Sequence, residues 1–244
     1  MLEKLKRRVC DANLELVKAG LVIQTFGNAS AIDRAGGYVV IKPSGVSYGG
    51  MRPKHMVVVS LKTGKVVEGG LNPSSDTPTH LVLYRAFREI GGIVHTHSLH
   101  ATAWAQARCE IPALGTTHAD YWHGPVPCTR LMRPGEIRTD YEANTGKVIV
   151  ERFAQLDPQA LPAVLVASHG PFTWGDSIEH AVDHAIILEH IALLAGETRR
   201  LQPSIGPMQR ALLDKHFLRK HGRYAYYGQK NSSTVTVKST EHDN

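Results

Sequence analysis

The sequence predicts an α/β fold. Short β-rich runs alternate with amphipathic helical stripes along the chain, the pattern of a sheet interleaved with helices. Composition supports a packed core, with 42% of residues hydrophobic and 20% charged. At 244 residues the chain is long enough to bury that core in one large domain, expected over residues 1–230.

The first expected element is a helix. Leu2, Leu5, Val9, Ala12 and Leu16 form its apolar stripe, and Gly20 suits its C-terminal cap. Residues 38–41 and 56–60 are short β-rich runs bounded by turn residues. Residues 73–78 read as a polar turn opening a helix near Thr79 that runs to Phe87, with Pro78 suited to its first turn. Residues 92–96 read as a buried strand, followed by a helix over 101–107. Residues 163–168 read as another buried strand, and 178–195 as a long helix stopped by Gly196. A last helix runs from about Met208 to Lys220. Interleaving of this kind leans, by itself, toward a parallel sheet.

Several function classes recede on these grounds. The longest greasy stretch, residues 185–195, contains Glu189 and His190 and falls well short of the roughly 18 apolar residues of a membrane helix. The charged N-terminus MLEKLKRRV has no apolar signal core, so a soluble cytoplasmic protein is expected. Cys10, Cys109 and Cys128 are odd in number and match no metal or redox spacing, so reduced thiols are expected. Residues 231–244 are polar and lack apolar periodicity, which predicts a disordered tail.

The net charge of +6 is concentrated between Arg199 and Lys230, where eight Lys/Arg face one acid, Asp214. Such a block suits a solvated helix face, a membrane surface, a nucleic acid or an anionic small molecule. No recognisable nucleic-acid module accompanies it.

Two constellations carry chemistry. His95 and His97 lie two apart at a strand end, which puts both imidazoles on one face. His169 ends a second buried strand, and neighbouring strands of one sheet would bring it to the pair. Asp76, in the turn before a helix, can add an oxygen ligand. Three histidines and a carboxylate leave room for substrate oxygens, as in a catalytic metal site. A chain with 14 histidines produces a His-X-His pair readily, so the pair gains force only from its surroundings. His100 and His118 are nearby competitors that are left out of the set, His100 because it should face elsewhere on the following helix.

The second constellation is a set of turn motifs: Gly27-Asn28-Ala29-Ser30, Lys42-Pro43-Ser44-Gly45, Asn72-Pro73-Ser74-Ser75 and Gly115-Thr116-Thr117. Backbone N–H groups in such turns, with serine hydroxyls and one lysine, make an anion cradle. Ordinary turn chemistry explains any one of them alone. Ser74 and Ser75 directly precede Asp76, which would set a phosphate within one small molecule's length of a metal.

The stretches GNASAID, IKPSGV, KTGKVVEG, NPSSDTPTH, GGIVHTHS, HATAWAQA, GTTHADY, SHGPF and LLDKHFLRKHG resemble the class II aldolase/epimerase/adducin superfamily, in order and across nearly the whole chain. The resemblance implies a three-layer αβα fold with a central, largely antiparallel sheet, against the parallel leaning above. It also implies a homotetramer with active sites at subunit interfaces, a divalent metal with Zn2+ the first choice, and a sugar-phosphate substrate. No nucleic-acid or membrane partner is expected.

By resemblance, Asp76, His95, His97 and His169 match the metal site. Gly27, Asn28, Lys42, Ser44, Gly45, Ser74 and Ser75 match the phosphate and substrate loops, and Thr116, Glu142, His216 and Arg219 match further site positions. Asp120 and Tyr227 match an acid/base pair. The implied reaction is epimerisation of L-ribulose 5-phosphate to D-xylulose 5-phosphate at carbon 4, by retro-aldol cleavage and re-addition. A sugar-phosphate aldolase of the same family, and a non-catalytic adducin-like scaffold, are the alternatives.

Overall fold

The computed structural model describes residues 2–227. The expected tail at 231–244 and the end of the expected domain lie outside that range. A seven-stranded sheet in the order β4-β3-β2-β1-β5-β7-β6 is the centre of the fold. Every pairing in it is antiparallel. The antiparallel sheet implied by resemblance is therefore present, and the parallel leaning is corrected. Apolar periodicity marks which face a residue takes but carries no strand direction.

Helix α1 (Leu2–Lys18) ends at Gly20, whose φ of +71° makes the left-handed cap that the sequence predicts. Strands β1 (Asn28–Asp33), β2 (Tyr38–Ile41), β3 (Val57–Ser60) and β4 (Val66–Glu68) follow as a meander. Helix α2 (Thr77–Ala86) starts at the polar turn, with Pro78 in its first turn. Strand β5 (Gly92–His95) leads into α3 (Leu99–Ala107). The short α4 (Thr116–Ala119) and α5 (Pro134–Arg138) precede α6 (Tyr141–Arg152). Strands β6 (Ala163–Val166) and β7 (Gly170–Gly175) form a hairpin. The long α7 (Ile178–Leu201) and α8 (Arg210–His221) complete the described chain.

Alternating strand residues divide the core into two layers. Ala29, Ala31, Val40, Val58 and Val94 pack under α1 and the first half of α7. Val39, Ile41, Val57, Val59 and Ile93 pack on the other side with Leu81, Leu83 and Tyr84 of α2 and Ile149 of α6. Helices thus cover both faces, giving the three-layer arrangement.

Several boundaries differ from expectation, three of them with a plain cause or consequence. Helix α7 passes through Gly196 and ends at Leu201, because an interior glycine costs a helix only about 1 kcal/mol and does not by itself stop it. Strand β6 ends at Val166, so His169 sits in the tight β6–β7 turn rather than at a strand end; Ser168 takes a left-handed φ of 62° there. The last helix starts at Arg210 rather than Met208, whose N–H donates to Ala113. Strands β1 and β7 and helix α6 lie where the sequence analysis expected no regular element.

Candidate active site

One row of sheet residues positions the site. Asn28 at the start of β1 pairs with His95 at the end of β5, and His95 pairs with Phe172 on β7. The ring of His95 stacks on Phe172, with centroids 4.2 Å apart, and its Nδ1–H donates to Pro171 O at 2.9 Å. That bond fixes the tautomer and leaves Nε2 facing His97 Nε2 at 3.1 Å. His169 enters from the β6–β7 turn. Gly170 permits this approach, since a Cβ there would stand 2.8 Å from Thr96 O.

Ligand atoms of His95, His97 and His169 all lie within 4.8 Å of one another. They are the one such cluster among the described residues, and they can hold a metal ion. His169 Nδ1 is buried with no hydrogen-bond partner, which suits an atom awaiting a ligand. Burial, reinforced by His95 and His97, pushes the His169 imidazole down to about 3, so it is neutral and able to ligate. Burial, then His95, also lowers His97. Asp76 stands in the same pocket, its Oδ2 accepting from Asn28 Nδ2 at 2.7 Å, but it is not part of the 4.8 Å cluster. Burial raises its carboxyl; the neighbouring His95 and His80 and the bond from Asn28 outweigh this and hold it below the usual carboxylate range. His100 and His118 stay outside the cluster, and His118 Nε2 donates instead to Gly124 O at 2.7 Å.

The turns expected to form an anion cradle come together in the structure. Pro43 and Pro73 form an antiparallel bridge, with Ser44 N–H donating to Asn72 O and Ser74 N–H to Lys42 O, each at 2.9 Å. The 42–45 and 72–75 loops are thereby zipped together beside Asp76. Lys42 is buried, and its Nζ makes only long contacts of 3.4 Å to Thr25 O and Pro43 O and lies over the Tyr48 ring. Among the described residues no carboxylate lies within ion-pair distance of it. Burial lowers its pKa, with Asp76 opposing. A buried ammonium in such surroundings suits an incoming anion.

A single open cleft of about 390 Å3 joins both constellations. Gly27, Asn28, Lys42, Ser44, Gly45, Ser74, Ser75, Asp76, His95, His97, Glu142 and His169 all line it. Gly27, at φ +78°, lets the backbone run against His95, since a Cβ there would stand 2.9 Å from His95 O. Thr25, Phe26 and Tyr141 also line the cleft and escaped the sequence analysis; their one signal was adjacency to Gly27 and Glu142.

Thr116, Asp120, His216, Arg219 and Tyr227 do not line this cleft. Four of them gather where α4 meets α8. Asp120 accepts from His216 Nδ1 at 2.9 Å and from Arg219 at 3.0 Å, with Lys220 Nζ at 3.4 Å. Burial raises its carboxyl, and these partners, His216 first, overcome that and hold it below the ordinary range. Tyr227 is exposed, its ring 4.6 Å from the Arg219 guanidinium carbon and 4.7 Å from Lys220 Nζ. Thr116 begins α4, on the chain between Gly115 and Asp120. The Gly115-Thr116-Thr117 turn is therefore not part of the cradle within this chain.

Comparison with known proteins gives a consistent picture. Residues 7–195 match the family described as Class II Aldolase and Adducin N-terminal domain. The chain is 54% identical over 229 residues to proteins named L-ribulose-5-phosphate 4-epimerase UlaF from Salmonella paratyphi C and Salmonella typhi, covering 94% of this chain and 100% of each relative. Among solved structures, an L-fuculose 1-phosphate aldolase is similar at a TM-score of 0.73 and 24% identity, over 87% of this chain and 94% of that one. YgbL from Escherichia coli is similar at a TM-score of 0.70 and 23% identity, over 88% of this chain and 98% of that one. At these identities the two structures speak to the fold alone. No helix among the described residues is long and apolar enough to cross a membrane.

Proposed function

The chain belongs to the class II aldolase and adducin N-terminal domain family, and from that premise we propose that it epimerises L-ribulose 5-phosphate to D-xylulose 5-phosphate at carbon 4. The observation that carries this reading is one cleft lined by both a three-histidine cluster and a lysine–serine cradle. The match to relatives named for this activity, over 94% of this chain, supports the epimerase within the family.

Carbon 4 is not adjacent to the ketose carbonyl, so its hydrogen is not acidic and direct deprotonation is slow. Removing the proton of the carbon-4 hydroxyl instead lets the bond between carbons 3 and 4 break. The aldehyde fragment then turns over and re-adds through its other face. His95, His97 and His169, with Asp76 beside them, would hold a divalent cation, Zn2+ by preference for imidazole donors. Such an ion, when bound, supplies Lewis-acid stabilisation of the negative charge that cleavage puts on substrate oxygens. Lys42, Ser44, Ser74 and Ser75 bind the phosphate and keep the aldehyde fragment from leaving while it rotates.

Inversion needs a proton handler on each face of carbon 4. Asp120 and Tyr227 take these roles. Because they and Thr116, His216 and Arg219 lie outside the cleft of their own chain, they serve the cleft of a neighbouring copy in a homotetramer. Arg219 and Lys220 lie against the Tyr227 ring and hold it at the end of α8. Glu142 binds substrate from the cleft wall.

The test is a coupled assay for D-xylulose 5-phosphate. Turnover of L-ribulose 5-phosphate is expected, lost with a chelator and restored by metal add-back. Asp120→Asn and Tyr227→Phe should each lower kcat by about a hundredfold or more while metal content stays at the wild-type level. Free glycolaldehyde phosphate accumulating as fast as the epimer forms would mark an aldolase instead. No turnover after add-back would sink the reading.

A further inference from the structure

We propose that Cys109 and Cys128 form a reversible disulfide when the protein meets a peroxide, closing the loop that carries Thr116 and Asp120. The pairing follows from a short ladder outside the main sheet. Ile111 and Val126 form an antiparallel bridge and exchange both backbone hydrogen bonds, at 3.0 and 2.9 Å. Continuing that register outward by two residues leads to Cys109 and Cys128, which do not themselves pair: the Cys109 thiol donates to Ala107 O at 3.3 Å, and Cys128 O accepts from Arg152 Nε at 3.2 Å. The two-residue period returns both side chains to the face taken by Ile111 and Val126. Were the ladder extended to these two positions, their Cβ atoms would stand ~4.5–5.5 Å apart, against ~3.5–4.5 Å in a disulfide. Closure therefore needs Cys109 to rejoin the register and its thiol to give up Ala107 O.

Cys109 is the less anchored of the two. Its N–H leaves the ladder and donates to Trp104 O at 3.3 Å, and the residue before it, Arg108, holds a left-handed φ of 59°. A non-glycine residue in that region gains by relaxing out of it. Cys128 is fixed on both sides: Pro127 O accepts from Leu165 N–H at 2.8 Å, and Thr129 N–H donates to Leu165 O at 2.9 Å. Cys109 is exposed and Cys128 partly buried, whereas Cys10, the third thiol, is buried in the core under α1.

This arrangement gives the two sulfurs different tasks. The exposed Cys109 thiolate attacks the peroxide oxygen, breaking the O–O bond and becoming a sulfenic acid as the first water leaves. Cys128 then attacks the sulfenic sulfur; the S–S bond forms and the second water departs with the Cys128 proton. Two thiols are oxidised and one peroxide is reduced to two waters, so electrons and atoms balance. Burial, reinforced by Cys109, pushes the Cys128 thiol up to about 11, which leaves the exposed Cys109 as the thiol that meets the peroxide first.

The link would reach both halves of the site. The closed loop contains α4 and Asp120. Arg108, next to Cys109, donates from Nε to Ser168 Oγ at 3.2 Å, and Ser168 precedes His169. Drawing Cys109 inward pulls Arg108 from Ser168 and loosens the turn that presents His169. Oxidation therefore lowers turnover, and a dithiol restores it.

The experiment treats the full chain with hydrogen peroxide under native conditions, blocks remaining thiols, and maps unreduced peptides by mass spectrometry. One peptide pair joined through Cys109 and Cys128 is expected, cleaved by dithiothreitol and absent from Cys109→Ser and Cys128→Ser. Turnover should fall several-fold on oxidation of the wild type, recover with dithiothreitol, and hold steady in Cys109→Ser. Recovery of both thiols unlinked, or Cys109 found only as sulfinic acid, would overturn the proposal. A linked protein with unchanged turnover would overturn its coupling to the site. The mass measurement needs no substrate, so it stands apart from the epimerase reading.

Discussion

His80 is the most confined titratable side chain beside the site. It is fully buried on α2, one turn after Asp76, and its Nδ1 is bonded to Ser30 Oγ at 2.7 Å. Its Nε2 has no partner among the described residues. Burial, with Asp76 opposing, pushes the imidazole down to about 3, against about 6.5 in an unfolded chain. The unfolded chain therefore takes up a proton here that the folded one refuses. Stability should be level above about pH 7 and fall as pH drops from 6.5 toward 3, by up to about 1.4 kcal/mol per pH unit from this group. The check is the urea midpoint at pH 7 and pH 5, in chelator, for wild type and His80→Gln. The variant should be less stable at pH 7 yet lose less between the two pH values. Equal losses would mean that His80 is not held neutral. Histidine residues inside a sequence do not announce such a role: within TPTHLVLY, His80 reads as one more helical position, while the His95/His97 pair stands out because strand geometry puts both on one face.

At the scale of elements, the contact between α2 and α6 sets the width of the cleft. Asp76 precedes α2, and Tyr141 and Glu142 begin α6. Thr79 Oγ1 donates to Glu142 O at 2.6 Å, and Gly146 lies so close that a Cβ would stand 2.7 Å from Val82 Cβ and 3.1 Å from Thr79 O. Gly146→Ala must push the helices apart. A loss of about 1–3 kcal/mol in denaturant unfolding is expected, with a raised KM because Glu142 withdraws from the cleft. Unchanged stability would mean that the two helices slide freely. This helix was hard to read in the sequence for the same reason that it packs closely: Asn144, Thr145 and Gly146 interrupt any apolar stripe, yet all three are buried. Strands β1 and β7 were hidden differently. The small residues of NASAID read as a turn, and GPFTWG is buried on both faces, so neither shows alternation. The turns of the cradle, by contrast, were legible, because lysine, serine and glycine at strand ends have few other uses than turning or binding.

At the scale of the whole molecule, the cleft and the Asp120–Tyr227 cluster are two separate places on one chain. The metal cluster and cradle were readable as local motifs, and the structure brings them into one cleft. Asp120 and Tyr227 were readable only through resemblance, since neither carries a local pattern, and in this chain they sit with α8 and its cations. Exposed apolar residues on α8, Leu212 and Leu218, together with Tyr226 and Tyr227, give that region a face suited to burial against another copy. If each cleft takes its proton handlers from a neighbour, damage to the two halves should complement. His97→Ala removes a metal-cluster imidazole, and Asp120→Asn removes a handler, so each variant alone should be inactive. Unfolding and refolding them together should give mixed assemblies in which some clefts combine an intact metal half with an intact handler half. A ring of four chains assembled at random from equal amounts leaves one interface in four with both halves intact, so roughly a quarter of wild-type turnover is expected. Activity no higher than that of the separate variants would show that each chain completes its own site, and the gathering of Asp120 and Tyr227 against the end of α8 would then need another explanation.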